Sequence, residues 1–149
     1  MEITTFERNN FLYKITDDFK DDLGEVCNAP KNKSGVYQFY DVTNGKKDLI
    51  YIGCSGHITN DGQISTRKTG GGGIYGRIVN GHQFGKDKRH ISIPKEMEKE
   101  NIQILEVEWI VTFEESNDKV KYSPVYVESY LLQRYYEENR KLPIWNKKF

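Results

Sequence analysis

Five residues scattered along the chain carry side chains with chemistry beyond packing. Tyr37 and Tyr51 close and open two short tripeptides, Gly35-Val36-Tyr37 and Tyr51-Ile52-Gly53; Arg77, Glu128 and Asn146 follow at wide spacing. A guanidinium can grip a phosphate through a two-pronged fork that lysine cannot reproduce. Glu128 has Leu131, Leu132 and Tyr135 at i+3, i+4 and i+7, so its carboxylate lies beside an apolar stripe, either as a helix-boundary residue or as a ligand. Each has a plainer reading. Tyr37 and Tyr51 are two of ten tyrosines, and a strand tyrosine is ordinarily core with a hydrogen-bonded hydroxyl. Arg77 is equally a surface arginine, and Asn146 a turn cap after Pro143. Cys27 and Cys54 stand apart with no Cys-x-x-Cys pair or clustered histidines, which excludes a zinc-ribbon or thioredoxin-type pattern. The run Gly70 to Gly73 lacks the Lys-Ser/Thr of a phosphate-cradling P-loop and reads as a flexible loop.

With 22 basic and 22 acidic side chains the net charge is zero, yet the charges are segregated. Residues 1–30 hold seven acids against three bases, and residues 95–118 eight acids against two. Between them, residues 66–90 hold Arg67, Lys68, Arg77, Lys86, Lys88 and Arg89 against Asp87 alone, and residues 134–149 hold five bases, Lys147 among them, against two acids. A neutral chain patterned this way either presents a local phosphate-attracting surface or is a solvated mosaic.

The elements that must position these groups follow from periodicity. A length of 149 residues suits a single domain, and 36% hydrophobic with 30% charged residues is too rich in aromatics for disorder and too polar for a membrane protein. No apolar run reaches a bilayer span and the start lacks the pattern of a secretory signal, so a cytoplasmic location is expected. Gly35–Asp41 and Asp48–Cys54 read as strands of a hairpin around Asn44-Gly45. Residues 55–73 read as an inserted polar loop. Ile74–Asn80 spaces as a short helix closed by a left-handed Gly81, and a further helical turn or two follows Pro94. Ile102–Phe113 alternates as a long strand, and Ser123-Pro124 caps a helix running as far as Arg140. Residues 1–33 read as an acidic N-terminal extension. The order strand, strand, helix, helix, strand, helix suits an α+β sandwich.

Taken together, Gly35-Val36-Tyr37, Tyr51-Ile52-Gly53, Arg77, Glu128 and Asn146 match in order and spacing, over about Ser34 to Lys147, a pattern that resembles the GIY-YIG nuclease family. The resemblance implies a small sandwich with a central antiparallel or mixed three-stranded sheet flanked by helices. It also implies a metal-dependent endonuclease that hydrolyses DNA phosphodiesters. On that footing Tyr37 is the phenol nearest the attacking water, Arg77 holds the scissile phosphate and Tyr51 positions phosphate or water. Glu128 is the one protein ligand of a Mg²⁺ (or Mn²⁺), and Asn146 ties the terminal segment to the substrate backbone or to the hairpin. As a base, Tyr37 must give up a proton from a group whose ordinary pKa is about 10, so it needs cationic neighbours. His82, five residues after Arg77 and beyond Gly81, stands one place later than the histidine of many relatives and is a further general-base candidate.

A two-residue Asn44-Gly45 loop would put Tyr37 and Tyr51 on opposite faces of the sheet. One site holding both therefore calls for an odd loop with a left-handed Gly45, pairing Tyr37 with Tyr51. Arg67, Lys68, Lys86, Lys88, Arg89 and Lys147 are expected to track the DNA backbone. Cutting both strands requires two copies, hence a C2 homodimer; no other protein partner and no membrane is implied. The alternatives are a binding module that has lost catalysis, and a nuclease for single-stranded DNA or RNA that stacks bases on Phe84 or Trp145.

Overall fold

Alternating Leu105, Val107, Trp109 and Val111 bury one face of β6 (Ile104–Phe113), Ile110 and Thr112 add a need for cover on the other, and the chain builds its sheet around this strand. In the computed structural model, which describes residues 2–149, β6 pairs antiparallel with β1 (Arg8–Lys14) and with β2 (Ser34–Asp41). Strand β2 pairs antiparallel with β3 (Asp48–Ser55), giving the order β1-β6-β2-β3. The fold is α+β, and the described residues form four α-helices: α1 (Leu23–Val26), α2 (Gly73–Asn80), α3 (Arg89–Glu100) and α4 (Pro124–Asn139).

The sheet has four strands instead of the expected three, because the first 33 residues supply β1 and α1. The signal was an alternation under a polar surface: Phe11, Tyr13 and Ile15 are buried at every second position while Asn10, Leu12 and Lys14 stay exposed. One face of the sheet packs Leu105, Val107, Trp109, Tyr37 and Phe39 against Ile74 and Ile78 of α2 and Ile93 and Met97 of α3. The other packs Val36 and Ile110 against Phe6, Val120 and Val127, with α4 lying over it. Ser123 Oγ accepts the N–H of Tyr126 at the start of α4, and Arg140 ends it in the left-handed region at φ 57°. Among the described residues no helix is long and apolar enough to cross a membrane.

Three local expectations are corrected. Helix α3 begins at Arg89, five residues before Pro94, because Arg89, Ser92, Ile93 and Met97 make a buried stripe that outweighs the hydrogen bond Pro94 cannot donate. Residues 55–73 are not a plain loop but contain a ribbon of β4 (His57–Ile58) and β5 (Ile64–Ser65). Its glycine run is not a flexible spacer either. All four glycines have positive φ, the N–H groups of Gly72 and Gly73 donate to Thr69 O and Arg67 O, and a Cβ on Gly73 would lie 2.6 Å from Pro30 O. Glycine is needed there both for the left-handed backbone and for close approach to Pro30-Lys31.

The hairpin brings Tyr37 and Tyr51 to one face by a route that differs from the expected loop. Gly45 is left-handed at φ 80°, yet the pairs nearest the turn, Asp41–Asp48 and Tyr40–Leu49, keep the register of an even loop. Ile50 then enters β3 as an unpaired extra residue, so that Phe39 pairs with Tyr51 and Tyr37 with Gly53. The bulge restores the parity that the turn alone would have denied. The Tyr37 ring lies across Gly53, where a Cβ would come within 2.6 Å of the phenol. Gly53→Ala is therefore expected to lower stability by about 1–3 kcal/mol through overpacking, read as a shift of the urea midpoint.

Candidate active site

Strand β3 is the open edge of the sheet, and the candidate residues gather around it from both faces. From the α2/α3 side come Tyr37 and Tyr51, their ring centroids 6.2 Å apart. Between them and the end of α2 sits Arg89, only 1% exposed. Its Nη1 donates to Tyr37 Oη at 2.7 Å and to Arg77 O at 2.6 Å, its Nη2 to Tyr51 Oη at 3.2 Å and its Nε to Gln83 Oε1 at 3.0 Å. The guanidinium carbon also stands 5.3 Å from the centres of both tyrosine rings. Among the described residues no carboxylate pairs with it. Ring faces, hydroxyl dipoles and the carbonyl end of α2 carry the compensation that an acid would otherwise supply.

Room for this group is made by Gly81. Its conformation is extended, at φ −69° and ψ 168°, and not left-handed as the sequence suggested. A Cβ there would lie 2.4 Å from Arg77 O and 2.8 Å from Arg89 Nη1, so glycine is present for space instead of for backbone freedom. Arg89 was expected to run along DNA; it is instead an interior cation and cannot track a surface. The clue in the sequence was the helical spacing of Arg89 with Ile93 and Met97, which puts it on the buried stripe of α3.

Arg77 projects from α2 into solvent with no ion pair among the described residues, within electrostatic reach of Tyr51, Cys54 and Glu128. Glu128 comes from α4, on the other face of the sheet, and meets Cys54 at the rim of β3. Burial raises the Glu128 pKa above its ordinary value, while the Cys54 thiol and the Arg77 guanidinium pull it back down. Burial likewise pushes Tyr51 up to about 12, so at neutral pH its hydroxyl keeps its proton and remains a hydrogen-bond donor.

Asn146 goes to the hairpin and not to an open surface. Its Oδ1 accepts the Ile52 N–H and its Nδ2 donates to Ile52 O, both at 3.0 Å, so one side chain pairs with the edge of β3 as a neighbouring strand would. The Trp145 N–H continues the pairing to Ile50 O at 2.8 Å. Trp145 is buried against Phe39 and Phe84, so it is not the stacking platform expected of it, while Phe84 is half-buried with its ring edge-on to Trp145.

A cleft of 610 Å³ follows this edge, lined by Tyr51, His82, Glu128, Asn146, Lys147 and their neighbours. His82 is exposed there, in a bridge with Lys88 beyond the end of α2. Lys68, Lys86, Lys88 and Lys147 are all exposed. Among the described residues no group of three or more His, Cys, Asp or Glu forms a multi-ligand metal cage. Comparison of the chain with protein-family models, with curated proteins and with solved structures finds no significant match.

Two outcomes follow from this geometry. Replacing Arg89 with Met leaves two phenol oxygens and a helix-end carbonyl without their donor, and is expected to cost about 1–3 kcal/mol in urea unfolding, with Arg89→Lys recovering only part because one ammonium cannot span the fork. The raised pKa of Glu128 means its stabilising contribution is complete below the ordinary value of 4.5 and is lost as pH rises through the higher folded value. Glu128→Gln should therefore melt above the parent protein at pH 7, with the advantage gone below pH 4.5.

Proposed function

We propose that this protein is a GIY-YIG-type endonuclease that hydrolyses DNA phosphodiesters with the help of one Mg²⁺. The observation that carries the reading is the meeting of Tyr37, Tyr51, Arg77 and Glu128 at the edge of β3, with Arg89 bonded to both phenols and to the Arg77 carbonyl. Phosphodiester hydrolysis needs a proton taken from water, positive charge beside the phosphorane-like transition state and a well-placed phosphate. Arg77, exposed and unpaired, grips the scissile phosphate. Tyr51, protonated, donates a hydrogen bond to that phosphate or to the attacking water. Tyr37 acts as the base in its phenolate form, which the Arg89 Nη1 donor stabilises; the water gives its proton to the Tyr51 hydroxyl as that hydroxyl gives its own to Tyr37, which ends as a neutral phenol.

The donor set at the cleft fits the metal. Glu128 is a half-buried carboxylate facing open volume with no second acid beside it, and Mg²⁺ favours one or two protein carboxylates with waters and phosphate oxygens completing its shell. Bound there, the ion would supply Lewis-acid stabilisation of the phosphate. The exposed Lys68, Lys86, Lys88 and Lys147 continue the positive surface along the duplex, and a C2 pair of chains would place one site on each strand.

A second reading, a DNA-binding module without catalysis, draws on the burial of Tyr37 at 1% exposure. Plasmid cleavage separates the two. The nuclease reading expects nicked or linear product in Mg²⁺, none in EDTA, and at least about a hundredfold loss for Glu128→Ala or Arg77→Ala. DNA binding with no cleavage in either Mg²⁺ or Mn²⁺ would sink it in favour of the module.

A further inference from the structure

Beside the cleft that holds Tyr51 and Glu128 lies a second, of 340 Å³, walled by Ser55, Gly56, His57 and Ser65 of the β3–β5 segment and by Arg67 and Arg77. No acidic residue lines it. We propose that this cleft is a second phosphate subsite, in which Arg67 holds the phosphate next to the scissile one on the same DNA strand, with Arg77 standing at the wall between the two phosphates. The proposal deepens the nuclease reading and rests on it for the identity of the strand.

Arg67 is held for such a task before any ligand arrives. Its Nε donates to Thr69 O at 3.2 Å and its own carbonyl accepts the Gly73 N–H at 2.7 Å, so backbone and side chain are both fixed by the left-handed glycine run. The guanidinium passes along α2 at Gly76, where a Cβ would lie 3.3 Å from Nε. With Nε engaged, the two terminal nitrogens form the fork that a phosphate accepts.

Charge balance points the same way. Arg67 lies within electrostatic reach of both Arg77 and Arg89, and among the described residues none of the three has a salt bridge. Burial and the repulsion of Arg77 and Arg89 pull the Arg67 pKa down. Glu128, the acid facing Arg77, balances one of the three charges, and the excess is relieved when an anion enters. Lys47 and Lys33, by contrast, are each matched by two acids, Glu106 with Glu108 and Glu7 with Glu114. At 340 Å³ the cleft is at the small end for ligand sites, which suits a phosphate with its sugar and excludes a base pair.

The test is the salt dependence of binding to a short mixed-sequence DNA duplex in EDTA, so that no cleavage is needed. Loss of one phosphate contact should weaken binding and reduce the slope of log K against log salt by about 1. Arg67→Ala is expected to do both, Arg67→Lys to keep the slope while weakening binding, and Lys20→Ala, which removes a cation paired with Glu98 away from the site, to do neither. Thermal melting checks that each variant is folded. An unchanged slope and affinity for a folded Arg67→Ala overturns the subsite even if the parent protein cleaves DNA. A reduced slope in a protein that never cleaves keeps Arg67 as a phosphate contact and removes the nuclease. Failure of the parent protein to bind any duplex overturns both.

Discussion

A single buried guanidinium organises this molecule. Arg89 has almost no access to water and, among the described residues, no carboxylate partner, so its charge must be met by dipoles and π-electrons, and it draws them from four places. Two phenols arrive from β2 and β3, a helix-end carbonyl from α2, and an amide oxygen from Gln83 in the loop that leads to α3. Any shift of one element would strand part of the guanidinium unpaired in a low-dielectric interior, where the penalty is largest. The contact therefore fixes α2 and α3 against the sheet and sets the direction in which both tyrosine hydroxyls point.

Around that contact the backbone is shaped by what is missing from side chains. Gly53 lets the Tyr37 ring lie flat across β3, and Gly81 leaves the hollow that Arg89 fills. The bulge at Ile50 turns Tyr51 to the face that Tyr37 occupies, and the main-chain groups left along the edge by this irregular strand are taken up by Asn146 and Trp145. An exposed strand edge is thereby closed over part of its length. Glu128 meets the cluster from the opposite face of the sheet, which explains how a carboxylate on the helix that covers one core can face an arginine from the helix that covers the other.

The zero net charge conceals a division of labour. Acids in residues 2–30 and 95–118 pair with Lys20, Lys33, Lys47 and Arg8, at positions that serve the sheet's surface and its β1 edge. The arginines near the site are left without acids of their own, apart from Glu128. A positive groove can thus exist on a chain whose total charge predicts nothing of the kind.

How much of this was legible depended on whether a property was local. Periodicity marked β2, β3, β6 and α4, because burying one face of an element writes its period directly into the chain; the Ser123 cap and the Pro124 start were equally plain. The tripeptides around Tyr37 and Tyr51, with Arg77 and Glu128, stood out as candidates by type and spacing. Strand β1 was legible in Phe11, Tyr13 and Ile15 but was masked by the surrounding charge. What no stretch of sequence carries is the sum of long-range choices. The turn of Asn146 toward Ile52 and the burial of Arg89 depend on partners dozens of residues away, and the extra residue at Ile50 and the use of Gly81 for space depend on how the elements so joined pack together. A lone arginine in a basic run looks like a surface cation, and only the closing of α3 over two tyrosines made this one the interior charge on which the site is built.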